Sequence, residues 1–461
     1  MIKGKSSFIG KVKGGYQGGT MRPGQAIIVV IAFFVSVFAM SCGNAATTGT
    51  ETSVESSFPR ISVIPIYKSS DFTSADTCKG CHSDIYAQWN GSMMSNCFQD
   101  PLYLAMHKEA GRETGGATDT FCAACHSPIG IFSGEVPPVD GPQVSEIAKR
   151  GVQCDFCHTV SGSTGIGNYS FISEPGRVKR AQYSDSVSPF HQTAYSELHT
   201  KADFCGMCHN LSHPGNKLAI EATYTEWKNS SFAAQGVQCQ DCHMTPAPGV
   251  KKLTSAATGG PQRPMVFTHQ FVGGNATSLA SEDHQKLATQ QLQGAASVSV
   301  VPQASSRQTG VSIDVNVANT GAGHYIPTGI TEVRQMWLET VITDAGGNVL
   351  YRSGAVDENG AVDPQAKMYN TEFADADGNP TEKPWMAVSV IRDKRIPPGG
   401  SDIQKFNTAV PVDAKLPLTV VATLHYRSAS SSLVEELLGK NAAVLPIVDM
   451  ASAQATINLT G

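Results

Sequence analysis

Hydrophobic and polar positions divide the 461-residue chain into stretches of different character. A basic, glycine-rich start (Lys3, Lys5, Lys11, Lys13, Arg22) runs into an unbroken apolar segment from Ala26 to Val35. That order predicts a secretory signal over 1–41 rather than a resident membrane helix, with Met21 as an alternative start. Residues 42–70 open with Ser, Thr and Glu and little to bury, which predicts a flexible tether. From 71 to 276 no long period develops; Ile85–Trp89, Leu102–Lys108 and Tyr195–Thr200 are short helical candidates. Glu282–Gln293 predicts a connecting helix within 277–296. Beyond it the period falls to two, clearest over Val311–Val317. Met336–Thr343 and Val349–Tyr351 flank Asp344-Ala345-Gly346-Gly347-Asn348, a hairpin signal. Ala387–Ile391, Ile403–Val410 and Leu418–Tyr426 follow at strand spacing. Residues 297–461 therefore predict an all-β sandwich of immunoglobulin-like type.

The apolar segment ends at Ala39-Met40-Ser41-Cys42-Gly43, which has the form of a bacterial lipobox and makes Cys42 the candidate lipidation site. Cleavage after Ala45 or Ala46 would instead release a secreted protein. The formal net charge is −5, and loss of residues 1–41 removes five basic and no acidic residues, deepening it to −10. Such a body disfavours nucleic acid or an anionic membrane face as partner and suits basic redox proteins or mineral surfaces.

The chemistry lies in the cysteines. Cys-x-x-Cys-His occurs five times, at Cys78/Cys81/His82, Cys122/Cys125/His126, Cys154/Cys157/His158, Cys205/Cys208/His209 and Cys239/Cys242/His243. In this motif both thiols add across the vinyl groups of haem and the next His reaches the iron. The spacing predicts five covalently attached haem c groups. Ten of the twelve cysteines are thereby used, leaving Cys42 and Cys97 and no disulfide framework; Cys97 reads as a small buried residue. The motifs are too closely spaced to wrap each porphyrin separately, so the porphyrins must form much of the core. They also repeat: Phe-Cys-x-x-Cys-His is followed by Gly-Val-Gln-Cys-x-x-Cys-His at 121–158 and again at 204–243. Trp89-Asn90-Gly91-Ser92 and Trp227-Lys228-Asn229-Ser230 echo each other, and both tryptophans are expected at helix ends against porphyrin.

The motif histidines supply one axial ligand per iron. A second protein ligand makes an electron carrier, whereas an open position makes a substrate site. Candidates ahead of the β-region are Met93, Met94, His107, His191, His199, His213, His269 and His284. Met244, directly after His243, reads as packing.

Trp89-x-x-Ser92-x-Met94, the two paired motifs, Thr225-Glu226-Trp227-x-x-Ser230, His269-Gln270-Phe271-Val272-Gly273-Gly274 and Gly323-His324-Tyr325-Ile326-Pro327-Thr328-Gly329 resemble a bacterial family. It comprises multihaem cytochromes related to the tetrahaem electron acceptor of hydroxylamine oxidoreductase, some with an appended β-domain. The resemblance covers roughly residues 75–360. It implies a distal His twelve positions after His82, where this chain has Met94; Met94 either ligates iron or packs while His107 does so. Met93 is the packing neighbour. The resemblance implies distal roles for His199, His213 and His269, with His191 completing the set. His107 and His284 are then spare, as solvated groups or ligands to a neighbouring subunit. For His324 the surrounding Gly and Pro favour a structural turn over a ligand from across the domain boundary.

These readings together predict an exported pentahaem cytochrome passing electrons along packed haems, not an enzyme. It would be an outer-membrane lipoprotein on the periplasmic or cell-surface face, or a secreted protein. Expected partners are other cytochromes, a porin–cytochrome complex or an extracellular acceptor, with homo-oligomers left open. The alternatives are a nitrite- or hydroxylamine-type reductase with one open haem, or a protomer of an extracellular cytochrome filament.

Overall fold

The computed structural model describes residues 58–61, 64–246, 252–277 and 281–459. The signal, Cys42 and most of the tether lie outside the described residues, and among those described no helix is long and apolar enough to cross a membrane.

From 71 to 277 the chain is built of short helices and two-stranded pieces. The expected helices form over Ser83–Asn90 and Pro101–Glu113. The second starts one residue earlier, where Asp100 caps it and Pro101 begins it without losing a hydrogen bond, and it runs five residues past the expected end to Glu113. Tyr195–Thr200 is not one helix. Gln192–Tyr195 pairs in parallel with Val178–Ala181, and only Leu198–Thr200 coils, as a 3₁₀ turn.

The internal repeat has a structural counterpart. Trp89 Nε1 donates to Val152 O and Trp227 Nε1 to Val237 O, both at 2.8 Å. In each copy the indole therefore pins the Gly-Val-Gln segment that leads into a motif. Gly151 (φ +63°) and Gly236 (φ +82°) make the left-handed turn this requires. The glutamine that follows also acts alike: Gln153 Oε1 accepts from Ala75 N and Gln238 Oε1 from Ala202 N, each joining one motif helix to another.

The connecting helix, Glu282–Ala295, passes without a loop into strand Ala296–Pro302, a strand the sequence pattern did not reveal. That strand, Val311–Asn319 and Ser401–Thr408 form one antiparallel sheet with Val311–Asn319 in the middle. A second sheet runs in the order Val349–Ser353, Gln335–Thr343, Leu418–Arg427, Val448–Ile457. Alternate residues Val311, Ile313, Val315 and Val317 of the first and Leu418, Val420, Ala422 and Leu424 of the second are buried in one shared core. At about 1.5–3 kcal/mol for each large side chain, that stripe fixes which face turns inward. The 344–348 hairpin forms as expected, with Asp344 Oδ1 accepting from the amides of Gly346 and Asn348.

One expected strand has another home. Ser389–Asp393, within and beyond the predicted Ala387–Ile391, belongs to a small third sheet with Thr371–Ala374 and Pro380–Thr381. The adjoining loop docks on the motif-bearing region, where Trp385 Nε1 donates to Glu113 Oε2 and Asn216 Nδ2 to Ala387 O. Strand-like spacing does not tell which sheet a segment joins, and Ser389–Asp393 is exposed along its length.

Candidate haem-binding site

Each motif is carried by, or abuts, a helical turn: Ala75–Cys78, Asp119–His126, Cys154–Thr159, Ala202–Gly206 and Cys239–His243. On a helix, positions i, i+3 and i+4 share a face, so two thiols and the following imidazole can meet one flat group from one side. One continuous cavity of about 2140 Å³ runs through the region and is lined by every motif Cys and His except Cys122. Trp89 and Trp227, buried at helix ends, also line it. A mostly apolar cavity walled by nine of the ten motif thiols and all five motif imidazoles fits haem c, and its continuity fits porphyrins in mutual contact. The motif thiols also place the sites relative to one another. Cys78 neighbours Cys154, Cys125 neighbours Cys208, and Cys205 neighbours Cys239. The first site thus adjoins the third, while the fourth adjoins both the second and the fifth.

The imidazole tautomer is set by what Nδ1 meets. Nδ1 of His82, His126, His158 and His243 lies 2.7, 3.1, 2.7 and 2.8 Å from the carbonyls of Ala256, Cys97, Arg180 and Val272. A proton held there leaves the Nε2 lone pair for a metal. Burial pulls His126 and His243 down to about 4, which keeps them neutral. His209 differs: its Nδ1 faces a carboxylate oxygen, Glu221 Oε1, at 3.2 Å. Burial lowers its pKa, but Glu221 outweighs burial and raises it to about 9.

Three further histidines stand opposite motif histidines. His191 faces His82, His269 faces His158 and His324 faces His243, each with ring centres 6.3 Å apart. Two imidazole nitrogens each about 2 Å from one metal place the ring centres about 6 Å apart. In all three facing histidines Nδ1 lies against a nearby carbonyl, of Gln192, Phe267 and Tyr325, so Nε2 is again free.

His324 corrects the expectation of a turn residue. Its ring reaches the cavity from the β-region because Glu226 of the motif region holds the loop behind it. Glu226 Oε2 accepts from Tyr325 N at 3.2 Å and Thr328 Oγ1 at 2.7 Å, and Oε1 pairs with Arg395. The Gly323-His324 motif and Glu226 were both visible in sequence; that the buried Glu226 aims His324 was not.

The same test separates the other candidates. His199 lies 6.0 Å from His158, but its Nε2 meets Cys157 O at 3.0 Å and its Nδ1 meets Ser196 Oγ at 2.8 Å. Both nitrogens are engaged, so His199 is not poised as the expected distal ligand. His213 is buried with Nε2 toward Trp385 O and Nδ1 accepting from the amides of Gly215 and Asn216, which shapes a turn instead. His284 Nε2 meets Gln88 O at 2.8 Å, fastening the connecting helix to Ser83–Asn90. It is buried, not solvated. Nor is His107 solvated: its Nδ1 lies 3.0 Å from Tyr103 Oη, its Nε2 has no hydrogen-bond partner, and burial lowers its pKa to about 4. Tyr103 in turn lies flat on His126, 3.9 Å between ring centres.

Among the described residues no imidazole faces His126 or His209 in the manner of the three pairs. Met94 lines the cavity, on the turn whose Cys97 carbonyl meets His126, and Met93 lines it while packing against the cluster of Val272, Ala276 and Ala288. Burial pushes the Cys97 thiol up to about 12, as befits a packing residue.

The family model for "Cytochrome c554 and c-prime" matches residues 77–159, which hold the first three motifs. The solved penta-heme cytochrome c552 from Thermochromatium tepidum superposes with a TM-score of 0.62 at 22% identity, over 84% of this chain and 99% of that chain. The likeness is one of fold: a multihaem-cytochrome architecture followed by a β-rich region. The sporulation control protein Spo0M from Bacillus subtilis gives a TM-score of only 0.15 at 13% identity, over 36% of this chain and 50% of that one, too low to carry an argument. No curated protein matches the chain.

Proposed function

We propose that the chain is a pentahaem c-type cytochrome that carries electrons through one array of neighbouring haems. The observation that carries this reading is the set of three imidazole pairs, each 6.3 Å apart across a cavity walled by five Cys-x-x-Cys-His motifs. Two imidazoles per iron saturate it, and a saturated iron changes charge without binding substrate. When bound, haem supplies one-electron Fe(III)/Fe(II) chemistry. The chain holds the imidazole tautomers, excludes water and sets the spacing.

Met94 is the candidate second ligand for one of the two motif histidines without a facing imidazole. Those two sites also sustain a second reading, a multihaem reductase with one open haem. The β-region is read as immunoglobulin-like. Its pairing order supports this, since the first, second and fifth of its seven main strands form one sheet and the third, fourth, sixth and seventh the other. Export with a lipid anchor at Cys42, an outer-membrane location and delivery to another cytochrome, a porin–cytochrome complex or an extracellular acceptor rest on the lipobox-like segment and the acidic charge. Assembly into a filament is the alternative on the secreted route.

The test uses the mature protein expressed with a haem-attachment system. Intact mass and a pyridine haemochrome assay should give five haems per chain, and reductive titration should take up five electrons reversibly. Fewer haems would overturn the cofactor reading. Sustained turnover of nitrite or hydroxylamine with a reduced dye would overturn the carrier reading in favour of the reductase.

A further inference from the structure

Four of the five motif histidines rest Nδ1 on a neutral backbone carbonyl, whereas His209 rests on the carboxylate of Glu221. A hairpin brings the two together, because Leu211–Ser212, directly after the fourth motif, pairs with Ala219–Glu221. Glu221 Oε1 also accepts from Thr223 Oγ1 at 3.3 Å, and Thr223 Oγ1 lies 2.8 Å from Thr328 Oγ1 of the β-region. The carboxylate is thus held by Thr223, itself bonded across the domain boundary, and lies within the field of Arg334.

The site it serves is a junction. Cys208 neighbours Cys125 of the second motif and lies within the field of Cys157 of the third, and Cys205 neighbours Cys239 of the fifth. The fourth site therefore stands between the second and the fifth, with the third close enough for its charge to be felt.

On the pentahaem reading above, we propose that Glu221 sets the potential of the haem at His209 and thereby the level of the site between the second and the fifth. A carboxylate on Nδ1 draws the proton toward itself and makes Nε2 a stronger donor, which favours Fe(III) over Fe(II). A carbonyl dipole does this more weakly, so Glu221 holds the fourth site below the level a carbonyl would give. No bond is made or broken: one electron arrives and one leaves, and the proton stays between Nδ1 and Oε1.

The experiment is spectroelectrochemical titration of the holoprotein, wild type against Glu221→Gln and Glu221→Asp, each first shown to carry five haems. Gln keeps the acceptor oxygen and removes the charge; Asp keeps the charge. One of five one-electron waves should shift to higher potential in Glu221→Gln by about tenfold in its equilibrium constant, about 59 mV. The low-spin or high-spin signature of that one haem should change with it, and Glu221→Asp should lie nearer wild type. Five unmoved waves, five waves moving together, or equal effects of Gln and Asp would overturn the proposal. A wild type that lacks five haems or reversible titration would instead refute the carrier reading.

Discussion

Replacing His324 with Ala separates the ligand role of this residue from a structural one. The structure contains three facing imidazole pairs, and this change removes the distal member of the His243 pair. Bis-imidazole intensity in the oxidised protein's electron paramagnetic resonance spectrum should therefore fall by about one third, and about one high-spin iron per chain should appear. That iron should take up about one equivalent of carbon monoxide when reduced. The loop itself should stay in place. Its hold on the motif region runs through Tyr325 N and Thr328 Oγ1 to Glu226, not through the imidazole. Haem content and the thermal midpoint are the controls for folding. Unchanged low-spin intensity at full haem content would refute the assignment and return His324 to the role of a turn residue.

Three further outcomes follow from the same geometry. His199→Gln should leave all bis-imidazole signals intact and cost about 1 kcal/mol in thermal unfolding, the worth of its lost hydrogen bonds; loss of a low-spin signal would restore it as a ligand. Glu226→Ala leaves Arg395, 12% exposed, with Asp393 as its remaining carboxylate partner. It should cost about 3 kcal/mol and disturb the His243 haem spectrum before the others, whereas a loss under about 1 kcal/mol would show that Glu226 does not hold the β-region. Burial raises Glu332 to about 8, and both its oxygens lack a hydrogen-bond partner. The folded state then keeps a proton that the unfolded chain releases near 4.5. Stability contributed by this group should fall as pH rises from 4.5 to 8 and level off above, with a slope of up to about 1.4 kcal/mol per pH unit. Chemical denaturation of Glu332→Gln should lack that slope, and parallel pH curves for the two proteins would refute it.

The parts of the site legible in sequence are those whose geometry is local. Two thiols and a histidine at i, i+3 and i+4 face one way wherever a helical turn forms, so each motif declares itself without its surroundings. The Trp-x-x-Ser and Gly-Val-Gln repeats were legible for the same reason, and the indole-to-carbonyl bonds of Trp89 and Trp227 supply their physical purpose. Period-two alternation likewise exposed the strands with a fully buried face, Val311–Asn319 and Leu418–Arg427. It could not tell that Ser389–Asp393, exposed along its length, lies in a different sheet.

What stands opposite a motif histidine is a different kind of fact. His191, His199, His213, His269, His284 and His324 look alike as letters. What distinguishes them is which ring nitrogen meets a carbonyl, and those carbonyls are placed by the fold. Where a carbonyl meets Nδ1, as in His191, His269 and His324, Nε2 is left facing a motif histidine. Where it meets Nε2, as in His199, His213 and His284, the ring is spent on holding backbone. The five motifs were thus legible in sequence alone, through spacing within single helical turns. Which histidines face them, and that one rests on Glu221 rather than a peptide carbonyl, was decided by tertiary structure, because a tautomer responds to the atom beside it and not to its place in the chain.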